Sequence, residues 1–299
     1  AYRSILSPEI GEDIMQKRHC WPEGHWNWPI DVTHKHGVRC GEMIWVGGQV
    51  NLTPEGVVLN QNDIPAQTSA VMKNFATVLE GLDCDLEDLV TLLCFYVNDG
   101  SVDEAEFLAG VGACLPEGCR PTVNAVPVPW LAYEGLVVEI EGYAMRRENG
   151  DRVPRTIAPD NLGSPLPKPF VQGLRAGKMI FASAQYPIDA AGNVLHKRDI
   201  EAQTKQVVSQ VGAVLNHCGC DQLGVCGTTA IIDVSTVRVR SDHHDVGTCG
   251  TQHVGSDRTA SAIRRVEHDL DACKIAPVEE CQHVRRIGPS IVVRSEPAG

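Results

Sequence analysis

Gly37–Thr68 reads GVRCGEMIWVGGQVNLTPEGVVLNQNDIPAQT, and Gly173–Thr204 reads GLRAGKMIFASAQYPIDAAGNVLHKRDIEAQT. The two stretches superpose without a gap, and fourteen of their thirty-two positions are identical. Self-similarity at a fixed offset is the signature of a duplicated structural unit. Each copy opens with an apolar strand (Met43–Val50, Met179–Tyr186) and passes a turn at Pro54-Glu55-Gly56 or Ala190-Ala191-Gly192. A helix follows. In the first copy Asp63 is a suitable N-cap, and Ile64, Val71, Phe75, Val78 and Leu82 recur at helical spacing. The second copy repeats the pattern with Ile200, Val207, Val211, Val214 and Leu215.

Working outward, the first copy continues with a strand at Leu89–Val97, a helix from about Val102 to Cys114, and strands at Val123–Val128 and Leu136–Met145. Residues 148–168 are rich in Pro, Gly, Asn and Asp and read as a linker. Residues 1–36 form an extension whose Trp21, Trp26 and Trp28 are expected to cover an apolar edge or interface. The organisation is thus an extension (1–36), a first domain (37–147), a linker (148–168) and a second domain (169–299). Self-similarity ends near Asp221, and a degenerate copy and a disturbed reading frame are both consistent with the His- and Arg-rich tail.

The chain of 299 residues carries a net charge of −12 without a basic cluster, which argues against binding to nucleic acid or anionic membranes. It has no run of about 18 apolar residues and no secretory leader pattern, so a cytoplasmic location is expected, with its twelve cysteines as reduced thiols. His34 and His36 share a strand face, and Cys218-x-Cys220 and His243-His244 are also close in sequence. None has the paired four-ligand spacing of a zinc site, and no metal is expected.

The chemistry concentrates in Cys119-Arg120-Pro121-Thr122 and Val137-Val138-Glu139-Ile140-Glu141. Strand alternation sets Val137, Glu139, Glu141 and Tyr143 on one face, and Val138, Ile140, Gly142 and Ala144 on the other. The small aliphatic face suits helix packing, whereas two carboxylates together need water, a cation or a function.

Taken in order, G-x-R-x-G-x-M-I…G-Q, the A-Q helix, R-P-T and V-E-I-E-G-Y-A resemble the signature of the Rid (YjgF-like) reactive-intermediate deaminases across Gly37–Arg146. A partial second match covers Pro169–Asp221. The resemblance implies an α/β (α+β) architecture of two tandem chorismate-mutase-like domains, each a mixed sheet with two helices on one face. It implies a homo-oligomer, a trimer-like ring with sites in the clefts between domains, and no cofactor. It further implies hydrolytic deamination of a carboxylate-bearing imine or enamine, with Arg120 gripping the carboxylate and Glu139 steering water and moving the proton. The two-copy layout makes the 2-aminomuconate deaminase type the specific expectation. If the substrate is a diacid, Arg39 and Arg175 are the candidates for a second cation.

The sequence departs from this pattern at two points. The family's serine before G-Q is Gly47 in the first copy and Ser183 in the second, and the preceding aromatic is His34 in the first copy and Phe170 in the second. Ser183 and Phe170 are therefore expected to complete, as substrate-binding residues, a composite site with Arg120 and Glu139. Read without the resemblance, Arg120 is equally an ion-pair partner of Glu141, Ser183 a backbone-bonding serine and Phe170 a core residue. The alternatives to an enzyme of this kind are a non-catalytic ligand-binding or scaffold member of the same fold and, with less support from the charge, a ribonuclease.

Overall fold

The structure, a computed structural model, describes residues 17–162 and 165–220, together with the strand backbone at 229–233, 284–287 and 290–293. The strands form two six-stranded sheets. The first holds β1 (Lys17–Cys20), β2 (Gly37–Cys40), β3 (Met43–Gln49), β4 (Leu89–Val97), β5 (Thr122–Val128) and β6 (Val138–Met145) in the order β1-β2-β3-β6-β4-β5. Only β4 and β5 run parallel, and α2 (Glu104–Ala113) makes the crossover that a parallel pair requires.

α1 (Ile64–Glu80) starts where the Asp63 side chain accepts the Ala66 N–H, with a proline in its first turn. It buries Val71, Phe75, Val78 and Leu79 against Ile44 and Val46 of β3, Leu92 and Cys94 of β4, and Val138 and Ile140 of β6. α2 begins at a second aspartate cap, Asp103, and adds Phe107, Leu108 and Val111 to the same core. Gly37 and Gly142 are close approaches: a Cβ would strike Val78 and Leu82 at the first, and the Thr91 carbonyl at the second. Along β6 burial alternates, with Val138, Ile140 and Gly142 inward and Glu139, Glu141 and Tyr143 on the opposite face. This is the mixed sheet with two helices on one face expected for the first domain.

The second sheet runs β11 (Val284–Ile287), β12 (Ser290–Val293), β10 (Thr229–Asp233), β9 (Met179–Ala182), β8 (Gly173–Ala176) and β7 (Arg155–Ile157) in that order. α3 (Ile200–His217) repeats the α1 design, with Asp199 capping the Ala202 N–H and Val214 and Leu215 packed below it. It is the helix described for the second copy; the position of a second one lies outside the described residues. His243 and His244 lie outside them as well. β1 falls in the stretch read as extension and β7 in the stretch read as linker, so each sheet recruits a short strand from its flanking sequence. No described helix is long and apolar enough to cross a membrane.

The copies meet face to face. Leu174, Ala176 and Phe181 of the second sheet pack with Val90, Met145, Met43 and Tyr143 of the first. The linker is fastened by Asp88, which is fully buried and paired with Arg146 at 3.0 Å and Arg152 at 2.8 Å.

Candidate functional site

Glu139 projects from the second position of β6, opposite Phe95 of β4, on the face without helices. Beside it β3 is irregular: Val46 pairs with Gly142, and pairing resumes at Gln49 with Ile140. Three steps on β3 thus face two on β6, so one extra residue bulges at Gly47-Gly48. Any side chain at Gly48 would collide with the Glu139 carboxyl group. The glycine is needed for that approach. Burial, reinforced by the Glu141 charge, pushes the Glu139 carboxyl up from its ordinary 4.5 to about 7. A carboxyl that exchanges its proton near neutrality is suited to general acid–base work.

Arg120 sits two residues before β5. Its side chain is 39% exposed, and Nη2 donates to Asp160 Oδ1 at 2.7 Å. Asp160 belongs to the linker. The ion-pair partner is therefore not Glu141.

The structure does not bring Arg120 and Glu139 together within one domain. Thr122 is level with Thr91 of β4, whereas Glu139 is level with Phe95 of the same strand. Adding the two residues from Thr122 back to Arg120 separates the pair by six strand positions, about 20 Å along the sheet. The physical reason is the strand order: β4 lies between β6 and β5, and parallel pairing sends the start of β5 to the far end of β6.

Ser183 and Phe170 do meet the Arg120 end of the sheet. Ser183 is buried; its hydroxyl donates to the Val171 carbonyl at 2.6 Å and accepts the Val123 N–H at 2.9 Å. The neighbouring Val171 N–H donates to the Pro121 carbonyl and the Ala184 N–H to the Val123 carbonyl. The second copy is thereby stitched along β5 immediately after Arg120. Phe170 is buried in the core of the first domain, reaching α2 at Gly112. Both residues thus form the wall behind Arg120, with the serine hydroxyl committed to backbone.

Arg39 and Arg175 are both engaged by backbone carbonyls. Arg39 is buried and donates to the carbonyls of Gly41, Leu82, Arg146 and Arg147, and Arg175 likewise donates to those of Gly177 and Cys218. Each guanidinium closes the end of a helix onto a strand turn. Trp26 is buried with Val50, Leu52 and Leu136, while Trp21 stays 41% exposed. His25, His34 and His36 cluster with these indoles, the His25 and His34 rings lying 4.4 and 5.1 Å from the His36 ring. Among the described residues no group of three or more His, Cys, Asp or Glu side chains is arranged to hold a metal ion. Residues that sequence reasoning passed over are Gly48 and Asp160; the G-Q motif pointed toward the first, and nothing local marked the second.

The family model described as Endoribonuclease L-PSP matches residues 31–146 and 164–235. A RutC family protein of Pyrococcus abyssi is 33% identical over 64 residues, 21% of this chain and 50% of that protein. One from Pyrococcus horikoshii is 35% identical over 63 residues, 21% of this chain and 49% of that protein. The chain therefore spans about half the length of these curated relatives. Among solved structures, RidA from Psychrobacter sp. PAMC 21119 is 23% identical with a TM-score of 0.36, covering 44% of this chain and 98% of that one. Yeast Mmf1 is 18% identical with a TM-score of 0.38, over 44% and 98%.

Proposed function

The chain belongs to the endoribonuclease L-PSP family, which includes imine deaminases, and on that premise we propose that it hydrolyses a carboxylate-bearing imine or enamine to the carbonyl compound and ammonia. The observation that carries this reading is the Glu139 carboxyl, raised to about 7 in the hollow left by Gly48. As a base it takes a proton from water while the oxygen bonds to the C=N carbon. As an acid it returns that proton to nitrogen to give the carbinolamine; a second transfer, of the hydroxyl proton through the same carboxyl to nitrogen, breaks the C–N bond and leaves C=O and NH3. Help of this kind is typically worth about 10²–10⁴-fold. An enamine first takes a proton on carbon and gives one up from nitrogen to become the imine.

Arg120 is the carboxylate anchor in this reading, since a guanidinium matches a carboxylate in two parallel hydrogen bonds. With some 20 Å between Arg120 and Glu139 in one domain, the two act on one substrate only when different chains contribute them. The reaction then belongs to an assembly, in keeping with a family whose members are typically homotrimers. The 2-aminomuconate type is the specific substrate proposed.

Ammonia release from freshly generated 2-aminoacrylate and from 2-aminomuconate tests the reading. Arg120→Ala and Glu139→Gln should each abolish turnover, and co-refolding the two variants should restore part of it by pairing an intact arginine with an intact glutamate. Full activity in either single variant would sink the assignment. Carboxylate binding without turnover would identify a binding protein, and cleavage of RNA alone would identify a ribonuclease.

A further inference from the structure

Gln49, at the end of the bulge beside Glu139, is fully buried, and its amide is held at both ends. Nε2 donates to the Gly47 carbonyl at 2.9 Å. Oε1 accepts the Trp26 indole N–H at 3.0 Å and lies 2.9 Å from His25 Nε2, which donates when that nitrogen carries the ring proton. On the other side of the bulge, the Gly47 N–H donates to the His36 carbonyl at 2.9 Å. A continuous set of bonds therefore leads from the segment before the first copy, through Gln49, to the glycines against which Glu139 rests.

The second copy supplies an internal comparison. Gln185 corresponds to Gln49 and makes the same short bond along its strand, from Nε2 to the Ser183 carbonyl at 3.0 Å. The same Nε2 also donates to Gln172 Oε1 at 2.6 Å. The residue corresponding to Gln172 in the first copy is His36, whose buried ring packs against Trp21, His25 and Trp26. In the first copy it is the amide oxygen that is met from outside the copy, by Trp26 and His25.

We propose that His25 and Trp26 are positioning residues for Glu139, acting through Gln49 and the Gly47-Gly48 bulge. The inference rests on Glu139 being the proton-transferring group, and it makes residues 20–36 part of the site. A buried amide oxygen that loses a donor seeks another, so removing the indole N–H draws water toward the bulge or loosens it. Either change hydrates the Glu139 carboxyl. The charged group acting on it is Glu141 on its own strand, and the stretch bonded to Gly47 carries the titratable His34, Lys35 and His36. His36 is kept neutral there by burial.

The test is a direct NMR titration of the Glu139 carboxyl in the full chain, with thermal unfolding as a check on the fold. Trp26→Phe keeps the buried ring and removes the N–H; it should lower the Glu139 midpoint by about one unit or more as the burial contribution weakens. His25→Leu should move it the same way and decides the matter if Trp26→Phe does not fold. Trp28→Phe, altering a ring that packs on Trp26 at 5.0 Å without bonding to Gln49, should leave the midpoint in place. An unchanged midpoint in the folded His25 or Trp26 variants, or an equal shift in Trp28→Phe, overturns the proposal. A midpoint that shifts in the variants, with a native chain that shows no turnover, upholds the coupling and refutes the catalytic reading instead.

Discussion

Replacing Glu139 with glutamine should make the protein more stable in alkali than the native chain, by an amount the site itself sets. The fold raises this carboxyl from 4.5 to about 7, so the folded state holds the proton more tightly than the unfolded state. The stabilisation from that proton is fully present below the unfolded value of 4.5 and is lost as pH rises through about 7. At 1.36 kcal/mol per unit the whole shift amounts to roughly 3 kcal/mol, and partial exposure of the side chain trims it to about 2–3 kcal/mol. Glutamine fills nearly the same space and never ionises. The variant should therefore gain about 5–10 °C in melting temperature relative to the native chain between pH 5 and pH 8. Paired melting curves at the two pH values, without substrate, measure it. An offset independent of pH, or a variant that melts lower at pH 8, would show that the carboxyl is ionised without cost and would remove the basis for its role.

Three further outcomes follow from the packing. Gly48→Ala drives a methyl group into the Glu139 carboxyl and should cost about 1–3 kcal/mol in urea unfolding, with at least a tenfold loss of turnover. Ser183→Ala removes a hydroxyl that bridges Val171 and Val123 and should cost about 1–3 kcal/mol, with turnover falling only as the wall behind Arg120 loosens. Asp88→Ala leaves Arg146 and Arg152 without their buried partner. It should cost about 2–4 kcal/mol, short of the full penalty for a buried pair because both arginines are partly exposed; the urea midpoint reports it.

What could be read in advance, and what could not, follows from the range over which each signal acts. β4 ends at Val97 and α1 begins after Asp63 as expected, because alternation, helical spacing and an aspartate cap are written within a few residues. The four-residue β2, with Arg39 at its centre, has too little alternation to announce a strand, and β7 is hidden in a Pro-rich stretch. Arg39 looked like a free cation because its carbonyl partners lie as far as 108 residues away. The distance between Arg120 and Glu139 was illegible for a related reason. Both residues belong to motifs readable on adjacent strands of sequence, but their offset depends on β4 standing between β6 and β5 and on which pair runs parallel. Likewise, the glycines of G-G-Q gave no hint that tryptophan and histidine from the preceding segment would hold the glutamine.

The unlike residues at corresponding positions, Gly47 against Ser183 and His36 against Gln172, have an evolutionary meaning. A ring of identical single domains must accept any substitution at every junction simultaneously. Once two copies share one polypeptide, each junction drifts alone: one half can harden into a docking seam while the other explores new chemistry. The covalent join is what makes such a division of labour heritable.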